Sequence, residues 1–313
     1  MASASPEVAR RGRARAPATP AWLRGTTMSA YLGLLVLWTV ELGVPRQVFV
    51  VFGWLWLATV AWNARARPSY HLAFLRDWWL PLVALTAYMY SRGVTDDLGI
   101  APHFSMPVVV DRWLGAGVTP TQRLQEAWCG TPCHRHLPPR WYDVVLTSVY
   151  LSHFLTGLTL ATVLWVRNRV EWVRWMRRYL TISFAALAIY VVYPMAPPWL
   201  AARDGYLPDG VHRLTGRGWS DLGLGHLDLA LRGIGNPVAA MPSLHAGMAF
   251  LLALYGIQRL RSRARWLLLA YPVVMAVALV YDGEHYVVDV LAGALLAVLV
   301  LLGAGLWETA RGD

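Results

Sequence analysis

The chain has 313 residues, 57% of them hydrophobic and only 15% charged, with a mean hydropathy of +0.41. A soluble domain of this size is about 25% charged, so an ordinary soluble globule is excluded, and repeated apolar runs near the ~20 residues that cross a bilayer indicate a polytopic helical membrane protein. The formal charge of +10 comes from 28 basic residues, every one arginine, set in short blocks between apolar runs; there they set topology and argue against a nucleic-acid partner.

Residues 1–25 are rich in Ala, Arg and Pro, carry Arg10, Arg11, Arg13, Arg15 and Arg24, and lack a signal-peptide pattern. They read as a disordered, basic cytoplasmic tail. Apolar runs at 27–43 and 47–62 predict a tight hairpin through Gly43-Val44-Pro45-Arg46, and with its linker this hairpin occupies 26–74. A third span is expected at 77–92, after Arg65, Arg67 and Arg76.

Region 93–140 is polar to amphipathic and holds Asp96, Asp97, Asp111, Arg112, Arg123 and Glu126. Leu114, Val118 and Leu124 have helical spacing, which suits pieces lying along the interface. Cys129 and Cys133 are spaced to permit a local disulfide if this loop meets an oxidising compartment; two free thiols is the alternative. His134 and His136 lie close by, without the usual spacing of a metal site.

A fourth span is expected at 141–166, with Ser148, Ser152 and His153 inside it. There, His153 either hydrogen-bonds across the bundle or lines a lipid-facing cavity. Arg167, Arg169, Arg174, Arg177 and Arg178 read as a basic loop before a fifth span at 179–197, which Pro194, Pro197 and Pro198 stop or kink. Residues 200–240 are glycine-rich with little periodicity, so a structured, largely non-helical segment is expected. Spans at 242–259, 266–281 and 286–307 complete the bundle, with Arg259, Arg261, Arg263 and Arg265 between the first two of these.

With a cytoplasmic N-terminus, eight spans put the arginine-dense loops 63–76, 167–178 and 260–265 inside. The long loops 93–140 and 199–241 then fall outside, with both cysteines, His245 and His285. The expectation is a multi-pass protein of the cell membrane, both termini cytoplasmic, its site on the extracytoplasmic face.

Two boundaries carry the chemistry. Ala239-Ala240-Met241-Pro242-Ser243-Leu244-His245 opens one apolar helix, and Tyr281-Asp282-Gly283-Glu284-His285 leads into another that carries Asp289. His285 and Asp289 are spaced i,i+4 and share a helix face. The aspartate can fix the imidazole tautomer and leave the other nitrogen to attack. His245 can protonate a leaving oxygen, and the amides that open its helix, with the Ser243 hydroxyl, favour a phosphate oxygen. A structural hydrogen-bond pair and a zinc site are the competing readings. Two ionisable groups at matching depth favour function, because such groups are costly in a membrane.

These residues resemble the type-2 phosphatidic-acid phosphatase superfamily, and within it the branch similar to inositol-phosphorylceramide synthases. Pro242, Ser243 and His245 match its Pro-Ser-x-His signature, and His285 and Asp289 its His-x-x-x-Asp signature. Tyr193-Pro-x-x-Pro-Pro198, Asp111-Arg112-x-Leu114 and Tyr150-Leu151-Ser152-His153-Phe154 resemble the branch as well. The likeness covers about 75–305.

It implies an all-α polytopic transmembrane bundle, a six-helix phosphatase-like core plus the N-terminal two-helix hairpin. The catalytic membrane domain is expected at 75–307, with a C-terminal tail at 308–313. It also implies that His285 forms a phosphohistidine, that Asp289 orients it, and that His245 serves as acid and then base. No metal or other cofactor is implied.

The substrate is expected to be a phospholipid or isoprenoid phosphate. The acceptor is inositol or another polyol or lipid alcohol, or water if the protein is a lipid or polyprenyl phosphate phosphatase. The phosphatase pattern's Lys-x6-Arg-Pro is absent, and Leu279 stands where that pattern has an arginine six residues before the catalytic histidine. Arg112, Arg140 and Arg203 are the candidates for charge on the phosphate, and Tyr193 for closing the donor pocket. Asp282 and Glu284 would repel an anion unless they bind the acceptor's hydroxyls, Asp282 being the candidate, or pair with those arginines.

A transporter is the rival class, but no internal repeat is evident and the ionisable cluster lies at one surface instead of the midplane. A structural factor with incidental histidines is the other.

Overall fold

The structure, a computed structural model, describes residues 19–45, 47–94, 99–131, 133, 137–208, 210–219 and 238–312. The tail as far as residue 18, Asp96, Asp97, His134 and His136 lie outside the described residues. The architecture is all-α: α1 (Ala21–Leu42), α2 (Val48–Trp62), α3 (Pro68–Val94), α4 (Ser105–Leu114), α5 (Pro120–Trp128), α6 (Trp141–Arg167), α7 (Arg169–Val192), α8 (Pro198–Arg203), α9 (Leu244–Arg259), a 3-10 segment Arg263–Leu269 leading into α10 (Ala270–Tyr281), and α11 (Val287–Arg311). Among the described residues four stretches are long and apolar enough to cross a bilayer: Ala21–Leu42, Trp141–Arg167, Arg263–Tyr281 and Val287–Arg311, with Val48–Trp62 a shorter apolar helix. The protein is a largely membrane-embedded helical protein.

The chain divides into two compact units, Met1–Val83 and Ala84–Asp313. In the first, α1 and α2 pair through aromatic edges, Trp54 meeting Tyr31 and Trp38 at 5.7 and 5.8 Å. The Thr27 hydroxyl donates to the Ala61 carbonyl, and Arg24 lies over Trp62. The first turns of α3 join them, Trp78 stacking on Phe74 and meeting Phe52 edge-on.

In the second unit α6, α7, α9, α10 and α11 form a bundle. Helix α9 packs on α11 almost backbone to backbone: a Cβ on Gly293 would lie 2.2 Å from the Ser243 carbonyl oxygen, and one on Gly247 3.1 Å from the Gly293 oxygen. Overpacking such a contact costs about 3 kcal/mol or more. Gly293→Val is therefore expected to lower the thermal midpoint of the purified protein and remove its activity together. An active variant with an unchanged midpoint would contradict this packing.

Helix α7 begins ten residues before the expected span, and the basic stretch is its first turns. Asn168 caps it, its side chain accepting from the Val170 and Glu171 amides. Glu171 pairs with Arg174 at 2.9 Å and also with Arg259, while Glu308 takes Arg177 and the buried Arg178 at 3.0 and 2.7 Å. Paired arginines continue a helix where unpaired ones would read as a loop.

The Tyr-Pro-x-x-Pro-Pro stretch is more than a helix stop. Met195 lies between two extended neighbours: its amide donates to the Val238 carbonyl, and the Ala240 amide donates back to its own. On the other side His103 exchanges hydrogen bonds with Pro194 and Ala196. This strap leads into α8, where the Trp199 amide donates to the Gly283 carbonyl, beside the turn that carries His285.

Candidate active site

Two helix starts deliver the histidines. A helix leaves its first amides without partners. At α11, buried Asp111 of α4 accepts from the Val287 and Val288 amides at 2.9 and 3.1 Å, and Asp289 accepts from the Tyr286 amide at 2.9 Å. Burial raises the Asp111 carboxyl above the usual carboxylate range, while its two amide donors pull it back down. At α9, Ser243 is the cap, its hydroxyl accepting from the Ala246 amide, and its own amide donates to the Asp289 carbonyl at 2.9 Å. The two sequence signatures are thus hydrogen-bonded to each other.

The turn before α11 is equally constrained. Gly283 adopts φ +71°, and a Cβ there would also meet the His212 carbonyl oxygen at 2.8 Å. Fully buried Gln125 of α5 donates to the His212 and Tyr281 carbonyls and accepts from the His212 amide. This one side chain ties segment 211–215 to the end of α10.

Between these elements lies a cavity of about 300 Å³. His245 and His285 both line it, ring centroids 5.8 Å apart, a gap on the scale of one phosphoryl group. Nδ1 of His285 faces Asp289 Oδ2 at 3.4 Å, which leaves Nε2 for reaction. Tyr150 stacks on His245 at 4.7 Å, and His153 stands 4.1 Å from it. Buried His245 Nε2 and His153 Nδ1 have no hydrogen-bond partner among the described residues. Arg92 of α3 and Arg213 bring positive charge to the wall, and Trp199 and Glu284 complete that side. Among the described residues no group of three or more His, Cys, Asp and Glu side chains is arranged to hold a metal ion.

The structure brings His245, His285, Asp289 and His153 together and sets the other expected site residues apart. Ser243 is wholly buried as a helix cap. Asp282 is buried behind the wall, its carbonyl accepting from the Leu214 amide. Tyr193 stacks on His103 at 4.0 Å outside the lining; Tyr190, one turn earlier, lines the cavity and donates to the Pro242 carbonyl. Arg112 and Arg140 are exposed and outside the lining, as is Arg203, which pairs with Asp204.

Sequence reasoning missed Arg92, Arg213, Trp199 and the role of Tyr150. Tyr150, His153 and Phe154 follow the i,i+3,i+4 spacing of one helix face, a signal that was available. Arg213 sits in a non-helical segment where no periodicity marks it. Cys129 and Cys133 form a disulfide.

The described residues thus form a helical bundle with two histidines facing across one cavity. Residues 126–303, more than half of the chain, match the family model of the PAP2 superfamily. The protein belongs to that superfamily.

It is similar to the phosphoinositol dihydroceramide synthase of Bacteroides thetaiotaomicron, 29% identical over 180 residues, covering 54% of this chain and 58% of that protein. It is also similar to the inositol phosphorylceramide synthase catalytic subunit aur1 of Schizosaccharomyces pombe, 30% identical over 139 residues, 42% of this chain and 32% of that protein. The chain thus spans less than two thirds of either relative's length. No solved structure matches it.

Proposed function

We propose that this protein is a membrane phosphotransferase of the inositol-phosphorylceramide synthase-like branch, moving a phosphate-containing group from a lipid donor to a polyol or lipid alcohol. The observation that carries the reading is the pair His245 and His285 facing across one cavity, with Asp289 behind His285. Both relatives are named as synthases of a phosphoinositol or inositol-phosphoryl ceramide, and they favour transfer over hydrolysis.

In the first step Nε2 of His285 attacks phosphorus and the bond to the leaving oxygen breaks. That oxygen takes a proton from His245, and Asp289 balances the charge that develops on the His285 ring. In the second step neutral His245 takes the proton of the acceptor hydroxyl as its oxygen attacks phosphorus and the N–P bond breaks. His245 is left protonated for the next donor. Arg92 and Arg213 stabilise the charge on the phosphoryl oxygens, and water is the competing acceptor.

In this reading the catalytic domain is 75–307, with α3, α6, α7, α9, α10 and α11 as its six expected spans, and α1 and α2 form the hairpin of 26–74. The site then lies on the extracytoplasmic face and both termini in the cytoplasm. The arginine-rich helix ends opposite the site and the Cys129–Cys133 disulfide on its side support that orientation.

The test is product analysis with purified protein and a phosphorus-labelled phospholipid, with and without free inositol. Label is expected in a new inositol-dependent phosphodiester product. Free phosphate released regardless of inositol would make the protein a phosphatase.

A further inference from the structure

Glu284 is a carboxylate in a cavity meant for anions, which is a cost unless it discriminates among them. It lies in the wall one residue before His285 and is 9% exposed. Its Oε1 accepts from Arg213 Nε at 2.7 Å and from the Thr215 hydroxyl. A buried carboxylate in such a place repels any phosphate oxygen, and a partner that neutralises it spends its own charge in doing so.

Among the described residues the charged side chains of the lining are Arg92, Arg213 and Glu284, so Glu284 is the one carboxylate there. Asp289 pairs with His285, and Asp282 lies outside the lining. A phosphate diester carries one negative charge. A monoester carries close to two once the pH is above its second pKa of about 6. The Glu284 carboxylate repels the second charge as well as the first, so it penalises the monoester about twice as strongly as the diester.

Resting on the phosphotransferase reading above, we infer that Glu284 is a specificity-determining residue that tunes the cavity to singly charged phosphate diesters and against doubly charged monoesters. Arg213 remains the group that meets the phosphoryl oxygens. Glu284 sets how much charge that group has left to offer.

The experiment compares phosphatidylinositol and phosphatidic acid with the same acyl chains at about pH 8, where the monoester's second proton is largely lost. It uses the full-length protein and its Glu284→Gln variant, and reads the kcat/KM ratio for the two lipids. Glutamine keeps the shape and an oxygen that accepts from Arg213 and Thr215, and removes only the charge. The wild type is expected to favour the diester, and Glu284→Gln to move the ratio toward the monoester by about tenfold, the scale of one unit charge a few ångströms away in a partly screened site.

A residue that merely held Arg213 in place would lower both lipids in proportion. That result, or a wild type that favours the monoester, would overturn the inference. A wild type inactive on both lipids would overturn the phosphotransferase reading itself. The wild-type ratio needs no substitution, so the test stands even where the variant fails to insert.

Discussion

His285→Ala is expected to lower turnover of a lipid phosphate ester by roughly 10⁴-fold or more, the scale on which removal of a covalent nucleophile acts. The alternative route, direct attack by the acceptor on phosphorus, would have to cross the cavity without the imidazole that bridges the two half-reactions. The fold should survive. Among the described residues the side chain's only hydrogen bond is the 3.4 Å contact to Asp289, and the α11 start is held by Asp111 and Asp289 instead. Losing one such bond costs about 1–2 kcal/mol. Steady-state kinetics with a thermal melt of the same preparation checks both halves, and near-normal turnover would remove His285 from the mechanism.

Asp289→Asn is expected to cost roughly 10²- to 10⁴-fold, with little change in stability. The carboxylate has two tasks at one oxygen, Oδ2, which accepts from the Tyr286 amide and faces His285 Nδ1. An asparagine oxygen can do both, so the helix cap and the ring orientation are kept. What disappears is the negative charge that balances the His285 ring while it carries the phosphoryl group. The loss should therefore fall on kcat, with KM for the lipid nearly unchanged. A variant that loses only stability would give Asp289 a structural role.

The helices were largely legible because a bilayer demands long apolar runs, and the two signatures were legible because chemistry demands histidines where those runs begin. Their meeting was legible only as a hypothesis. The bond from the Ser243 amide to the Asp289 carbonyl, which holds the signatures together, joins residues whose positions no spacing rule relates.

The misread start of α7 has a similar cause. Arg174, Arg177 and Arg178 look like a loop until Glu171 and Glu308 are placed beside them, and Glu308 comes from the far end of the chain. The cavity-lining arginines were hidden for the same reason. Arg92 ends one helix, Arg213 lies in a non-periodic segment, and the cavity exists only once both are folded against α6 and α9. Asp111 was legible as part of a resemblance, but its role as acceptor for two α11 amides needed the fold.

The central claim is that the transferred group passes through His285. The direct measurement supplies a lipid donor labelled at phosphorus to the purified protein, quenches during turnover, and maps the label by peptide mass spectrometry under basic conditions. The account predicts label on His285 that is stable to base and lost in acid, and none on His285→Ala. Label on any other residue, or sustained turnover by His285→Ala, would contradict it.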